Sequence, residues 1–433
     1  MLSGKKLLII GGASQHCKVV ESARRLGIET YVIDYLPYEK APAKIIADHH
    51  RQINVTDYEA IRNLCLSEKI DGAIASHIDF CQRPYQRVCE MMGFPCFGSE
   101  SQFLTLTDKQ AFENRCTKNG VDVIPSYTVE DFSDEAECVK TVDFPVLVKP
   151  SDSRGSRGQS VCSSYDEVLP AIERAKRESS CGGVVIEKLM KGYSDFSVSY
   201  IVINGTPYLT RICDRFAGTE QDDLSRVCIA AVSPSRYSDM YLSHVDAKVK
   251  SMIADIGLKN APVFMQGFID GETVRFYDAG LRFAGGEYER QYEAATGVNV
   301  IDILVEFALT GAVSENCRIP QYGYKLNGKI SVQFSAALRA GTIAEIIGWE
   351  DIKAMPEVIS CFSRCTVGQN IGVLSDTRQR FFTMNILCAN TNEARNTISK
   401  IYSTLQVLDE HGRDMKTSLF SPELLNHGGT SCL

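Results

Sequence analysis

No stretch of about 18 uninterrupted apolar residues occurs in the chain, so no membrane span is expected. C-x-x-C pairs are also missing. The sixteen cysteines are scattered, and the nearest spacing is Cys361-x-x-x-Cys365. Neither a zinc site nor a disulfide framework follows from that, and buried thiols in a reducing cytosol fit better. The seven histidines give one doublet, His49-His50, and no H-E-x-x-H. Positive charge is in short supply: 46 Lys and Arg stand against 54 Asp and Glu, for a net charge of −8. A nucleic-acid-binding surface is therefore not expected, although a local basic cluster can still serve a small anion. The G-x-S-x-G elbow and the Walker-type lysine loop are absent. No internal repeat or low-complexity tract stands out. Met1–Ser14 holds only the short run LLII before Gly11-Gly12, which reads as a first strand rather than a signal peptide. A cytoplasmic location is the expectation.

What is present is ordinary globular composition, 44% hydrophobic and 23% charged, over 433 residues. That length suggests roughly two to four domains. KLLII, the turn GGAS, a helix through Val19, Val20, Ala23 and Leu26, and a strand ending at Asp34 form a βαβ unit. Its loop reads GGASQH and lacks the third glycine of G-x-G-x-x-G, so a dinucleotide site with Asp34 on a ribose is disfavoured. The alternation continues with strand Ile45–Ala47, helix Tyr58–Lys69, strand Gly72–Ser76, helix Gln82–Met92 and a short strand Pro95–Gly98. These predict a doubly wound α/β domain over residues 1–104. A helix opened by Asp108-Lys109 follows, ending near Gly120. From Val123 to Leu189 single helices alternate with strands, as in a small α+β lid. Residues 194–232 and 263–278 are strand-rich, with hairpin turns at Asn204-Gly205 and Asp270-Gly271.

The stretch Phe144–Ser160, FPVLVKPSDSRGSRGQS, concentrates the chemistry. Val146–Val148 is β-prone, Lys149 closes the strand and Pro150 ends its ladder. The loop behind it carries Arg154, Gly155, Ser156, Arg157 and Gly158. Its N–H groups and cations suit phosphate oxygens, and they equally suit a solvated hairpin turn.

In this order the segments resemble the ATP-grasp superfamily, in the branch of biotin carboxylase and the carbamoyl-phosphate synthase large subunit. DKQAFENRCTKNGVDVIPSY looks like the entry to the grasp fold, with Lys109 as its first phosphate-binding lysine. FPVLVKP supplies the second, Lys149, and SDSRGSRG looks like the glycine-rich flap, with Arg154, Gly155, Ser156 and Gly158. VVIEKLMKGYSDFSV resembles the hinge after the lid. The resemblance implies that Glu187 and the backbone of Lys188 and Leu189 meet adenine and that Asp195 holds the ribose. It divides the chain into residues 1–104, an ATP-grasp domain over 105–315 with a lid over about 123–189, and a small C-terminal α+β domain over 316–433.

The metal site departs from the family pattern. Where the family offers a Glu and then E-x-N-x-R, this chain reads FMQGF and DAGLR. Gln266 replaces the first acid, Asp278 keeps the second, Gly280 replaces the Asn and Arg282 stays, followed by Gly285-Gly286. Asp278 and Gln266 are the implied magnesium ligands. Arg282, Arg215, Gly285 and Gly286 would border the substrate, with Asp214 beside them, and Arg282 and Lys149 would carry the catalysis. The implied activity is ATP- and Mg²⁺-dependent ligation of a carboxylate to an amine through an acyl-phosphate, with an amino acid as the leading acid. The alternative is an ATP-binding homologue with a weakened metal site, serving as a sensor or partner subunit. The C-terminal segment would close one side of the acceptor cavity and support a homodimer.

Overall fold

The computed structural model of the chain describes residues 2–134, 140–151, 158–179, 182–218, 228–372 and 379–425. Its first unit is a parallel sheet ordered His49–Gln52, Glu29–Asp34, Lys6–Ile10, Gly72–Ile74. Leu7, Leu8, Ile9 and Ile10 are all buried, as an apolar run packed on both faces requires. Asp34 does not face a ribose. Its carboxylate accepts from the N–H of Gly12 at 2.7 Å and of Leu36 at 2.8 Å, so it fixes the GGAS turn instead. A side chain at Gly12 would lie 2.7 Å from the Ala41 methyl, so only glycine fits there.

Two expected strands of this unit are corrected. Residues 45–47 end a helix, Pro42–Ile46, whose proline occupies the first turn, where its missing N–H costs nothing. The third strand is the polar His49–Gln52, which pairs only with Glu29–Asp34. Pro95–Gly98 forms no strand and bends at Phe97 and Gly98. A helix at Glu100–Thr107 went unread, although Ser99 and Gln102 form its capping box.

The second unit is an eight-stranded antiparallel sheet. Its order is Thr273–Gly280, Ala261–Asp270, Ser194–Ile203, Thr206–Ala217, Cys228–Ser233, Ile330–Phe334, Phe382–Cys388, Val358–Ser363. Asn204 and Gly205 turn the first hairpin with φ of 48° and 83°. The sheet runs on past residue 316 without a break, because Ile330–Phe334 pairs with Cys228–Ser233. Side-chain packing divides the chain differently. One core joins the first unit to the left half of the large sheet, a second gathers Phe334, Phe382 and Ile398, and a third lies inside the lid. The lid sheet is ordered Ser126–Tyr127, Val184–Lys188, Val146–Pro150, Ser160–Cys162, and helix Tyr165–Glu178 backs it. The start of the lid segment docks on the edge of the large sheet, where Ile124 N–H donates to the Phe276 carbonyl at 3.1 Å. The thirteen cysteines among the described residues are all free thiols, and no helix there is long and apolar enough to cross a membrane.

Candidate active site

Lid, helix and sheet edge bring four charged residues together. Lys149 and Glu187 lie on neighbouring lid strands and form an ion pair that is buried on both sides, 6% and 8% exposed. Lys109 begins helix Lys109–Lys118, whose cap is the Asp108 carboxylate accepting from Ala111 N–H at 2.9 Å. Burial and the neighbouring Lys149 push the Lys109 ammonium down to about 8, with Glu187 and Asp278 pulling the other way. Two crowded ammonium groups with one close carboxylate, Glu187, between them keep attraction for a further anion, which is the electrostatic preparation a polyphosphate needs.

Glu113, four residues along the same helix, was not singled out from sequence. It accepts from the Ser126 hydroxyl at 2.9 Å. Burial raises its carboxyl, Ser126 offsets the rise and Glu187 adds to it. Its helical spacing from Lys109 was the available signal.

On the sheet, Asp195, Arg215, Gln266 and Asp278 sit at one end of four adjacent strands. Asp195 opposes Arg215 and Phe268, and Gln266 opposes Asp278. Arg215 donates to Asp195 at 3.0 Å and to the Tyr277 hydroxyl at 2.8 Å, and Tyr277 donates to Gln266 Oε1 at 3.3 Å. Tyr277 reaches this face because the ladder slips there. Gln266 pairs with Asp278 and Gly267 with Phe276, which leaves Tyr277 as the extra residue of a bulge. A bulge cannot be read from residue types alone, so Tyr277 was missed.

Asp278 is half-buried. Burial raises its carboxyl, Arg282 pulls it back, Asp79 adds to the rise and Lys109 counters again. A cation would stabilise the ionised form here. The donors on offer are one carboxylate and one amide carbonyl, and among the described residues no group of three acidic, His or Cys side chains surrounds a metal position. Asp278 and Gln266 would suit Mg²⁺, a hard cation that takes oxygen donors and needs few of them from the protein. Gly280 gives nothing and has no room to: a side chain there would meet the Phe264 ring at 2.6 Å.

Phe264 also lies 4.1 Å under the Arg282 guanidinium. Arg282 itself is not open to a substrate in this state. Its Nε and Nη2 grip both oxygens of Asp79, the latter at 2.8 Å, and its Nη1 donates to the Phe283 carbonyl at 2.9 Å. Gly286 packs on Gln333, whose amide would clash with any side chain at that position. Gly285 has open space and lends its carbonyl to Gln15 at 3.4 Å. Beneath this loop Ser76, His77 and Glu289 hydrogen-bond in series, at 2.7 Å and 3.2 Å, wholly buried. His16 beside them is pushed down to about 3 by burial and by His77, so it stays neutral.

Several expected placements change. Glu187 turns its carboxylate to Lys149 rather than outward to a base, since the lid strands set them side by side. The N–H groups of Lys188 and Leu189 are spent on the Pro125 and Pro145 carbonyls, each at 2.9 Å, which leaves no free N–H there for adenine. Arg215 serves Asp195 and Tyr277, and Asp214 points to the other face of the strand, accepting from Ser235 and from Arg236 N–H. Arg154, Gly155 and Ser156 lie outside the described residues. Gly158 is described, with φ of 69°, packed toward Pro150.

Residues 108–205 match the family model of the carbamoyl-phosphate synthase L chain, ATP binding domain. The chain is similar to the formate-dependent phosphoribosylglycinamide formyltransferase of Proteus mirabilis, 25% identical over 293 residues, which spans 64% of this chain and 69% of the relative. The enzyme of that name from Haloquadratum walsbyi is 26% identical over 314 residues, 69% of this chain and 76% of the relative. In structure the chain is similar to an L-amino acid ligase from Bacillus licheniformis, with a TM-score of 0.76 at 15% identity over 95% of this chain and all of that one. It is also similar to a biotin carboxylase from Campylobacter jejuni, with a TM-score of 0.75 at 15% identity over 98% and 95% of the two chains. The fold is that of the ATP-grasp ligases.

Proposed function

We propose that this ATP-grasp chain is an ADP-forming ligase that activates a carboxylate with ATP and joins it to an amine. The observation that carries the reading is the meeting of Lys109, Lys149, Glu187 and Asp278 from a helix, the lid and the sheet edge. Lys109 and Lys149 hold the phosphates, Glu187 orients Lys149, and Asp195 with Tyr277 takes the ribose hydroxyls. Asp278 and the Gln266 carbonyl would hold Mg²⁺, which would supply charge neutralisation to the phosphates.

The substrate's carboxylate oxygen attacks the γ-phosphorus, the bond from phosphorus to the bridging oxygen breaks, and ADP leaves. Arg282 and the two lysines stabilise the transferring phosphoryl group. The amine then adds to the acyl carbon, the C–O bond to phosphate breaks, and the amine's proton leaves as inorganic phosphate departs. The lid shields the acyl-phosphate from water. The similarity to an L-amino acid ligase supports an amino acid as the activated acid, while the sequence relatives named for formate support a simple acid.

A coupled ADP-release assay over the standard amino acids and formate tests the reading. Release stimulated by one acid supports it. Nucleotide binding with no stimulated release by any acid contradicts it and leaves a nucleotide-binding sensor, which the depleted ligand set of Gln266 and Gly280 would suit.

A further inference from the structure

The fork of Arg282, a group expected to border the substrate, is already filled by a carboxylate of the chain itself. Both oxygens of Asp79 sit on it. The two partners differ in how firmly they are held. The Arg282 side chain is 10% exposed, lies on the Phe264 ring and is tied to the Phe283 carbonyl. The Asp79 side chain is 49% exposed. It stands in the first turn of helix Asp79–Met92, directly after the Ser76-His77 corner of the first domain. Arg282 is the fixed member and Asp79 the displaceable one.

Displacement has an electrostatic consequence. A plain carboxylate that took Arg282 would leave Asp79 with no cation and set a second carboxylate beside it. Like charges left facing each other in a half-buried site disfavour that complex. A zwitterion avoids the penalty. Its carboxylate replaces Asp79 on the guanidinium, and its ammonium, one carbon away, replaces the guanidinium on Asp79. One ion pair becomes two and no charge is stranded.

Resting on the carboxylate-activating reading, we propose that the activated acid is an α-amino acid, bound by its carboxylate on Arg282 and by its ammonium on Asp79. Asp79 is then a specificity-determining residue that selects amino acids over simple acids and occupies the acid's place when the site is empty. The discrimination follows from an unpaired charge rather than from pocket size, and sites that reject by leaving polar groups unpaired discriminate more strongly than apolar ones.

The test uses matched acids in the ADP-release assay: alanine and propionate, leucine and 4-methylvalerate, glutamate and glutarate, with formate alongside. The full chain and its Asp79→Asn and Asp79→Glu variants are compared, and thermal unfolding confirms that each is folded. The expected result is a preference for the amino acid in the best-used pair of about tenfold or more. Asp79→Asn should lose most of that preference and use the simple acid better than the parent chain does, and Asp79→Glu should restore part of it. If the parent chain prefers the simple acids or formate, or if the preference survives in Asp79→Asn, the proposal is overturned while the ligase reading stands. If no acid of either kind stimulates release, both fall together.

Discussion

Asp79 of the first domain closes a two-pronged contact on Arg282 at the end of the large sheet's edge strand, two nitrogens facing two oxygens. The partners are 203 residues apart in sequence. That contact joins the first domain to the strand pair expected to hold the metal. The Ser76 carbonyl accepts from Phe283 N–H at 2.8 Å just beside it. Any acid that uses Arg282 must first open this joint, so acid binding is coupled to the first domain.

The Lys149–Glu187 pair separates nucleotide binding from folding. Lys149→Ala should reduce ATP affinity by about 100-fold or more, since it removes a charge-assisted contact to phosphate. It should also destabilise the lid by about 3–5 kcal/mol, because Glu187 is left buried and unpaired. The double variant Lys149→Met, Glu187→Gln should recover much of the stability and none of the affinity. Calorimetric titration with ATP and thermal unfolding read the two effects separately. Recovery of affinity in the double variant would remove Lys149 from the phosphate site.

Lys109 makes binding depend on pH. Its ammonium is pushed down from 10.5 to about 8 in the free chain, so it is partly neutral at pH 8 to 9. Phosphate oxygens favour the charged form, and ATP binding in that range should take up a fraction of a proton. Affinity should fall as pH rises above about 8, and the heat of binding should vary with the buffer's ionisation enthalpy. Lys109→Met should abolish the buffer dependence. The stability effect runs in the other sense. A lysine lowered by folding opposes the folded state below its folded value, and that opposition is lifted as pH rises from about 8 toward 10.5.

Phe264 fills the space that a side chain at position 280 would need. Gly280→Asn on its own places a side chain against the ring at 2.6 Å and should destabilise by about 1–3 kcal/mol. Gly280→Asn with Phe264→Val relieves the overlap and adds an oxygen beside Asp278. That double variant should need less Mg²⁺ for half-maximal turnover than the parent chain. An unchanged Mg²⁺ requirement would show that position 280 does not face the metal.

Asp278→Asn should spare most nucleotide affinity and reduce turnover by about 100-fold or more, because the carboxylate acts on charge that develops during transfer. Steady-state kinetics beside ATP titration checks this. Full activity in the variant would place the metal elsewhere.

Much of this site could be read from sequence where the information is local. FPVLVKP announces a strand closed by a lysine, and Asp108 announces the helix that starts with Lys109. The antiparallel strands carrying Gln266 and Asp278 follow from the Asp270-Gly271 turn, but a regular ladder would set Gln266 against Tyr277, so the opposition to Asp278 needs the bulge. What escaped depends on register or on partners distant in sequence. Tyr277 faces the site only because one residue bulges, and Glu187 meets Lys149 only because two lid strands pair in one register. Asp79 meets Arg282 across a domain boundary. The polar run HHRQ became a strand because it lies at a sheet edge, where one side faces solvent, and no alternation of residue types marks that. Phe264 lies under Arg282 only once the neighbouring strand is in place.

The central claim, transfer of the γ-phosphoryl group to a carboxylate, is tested most directly by oxygen tracing. The acid that best stimulates ADP release is supplied with both carboxylate oxygens as 18O, and the phosphate released on ligation is analysed by mass. An acyl-phosphate route predicts that the phosphate carries one 18O atom from the acid, because the attacking carboxylate oxygen leaves with phosphorus. Phosphate carrying none, its oxygens coming only from ATP and water, would contradict the account and reduce the stimulated release to ATP hydrolysis.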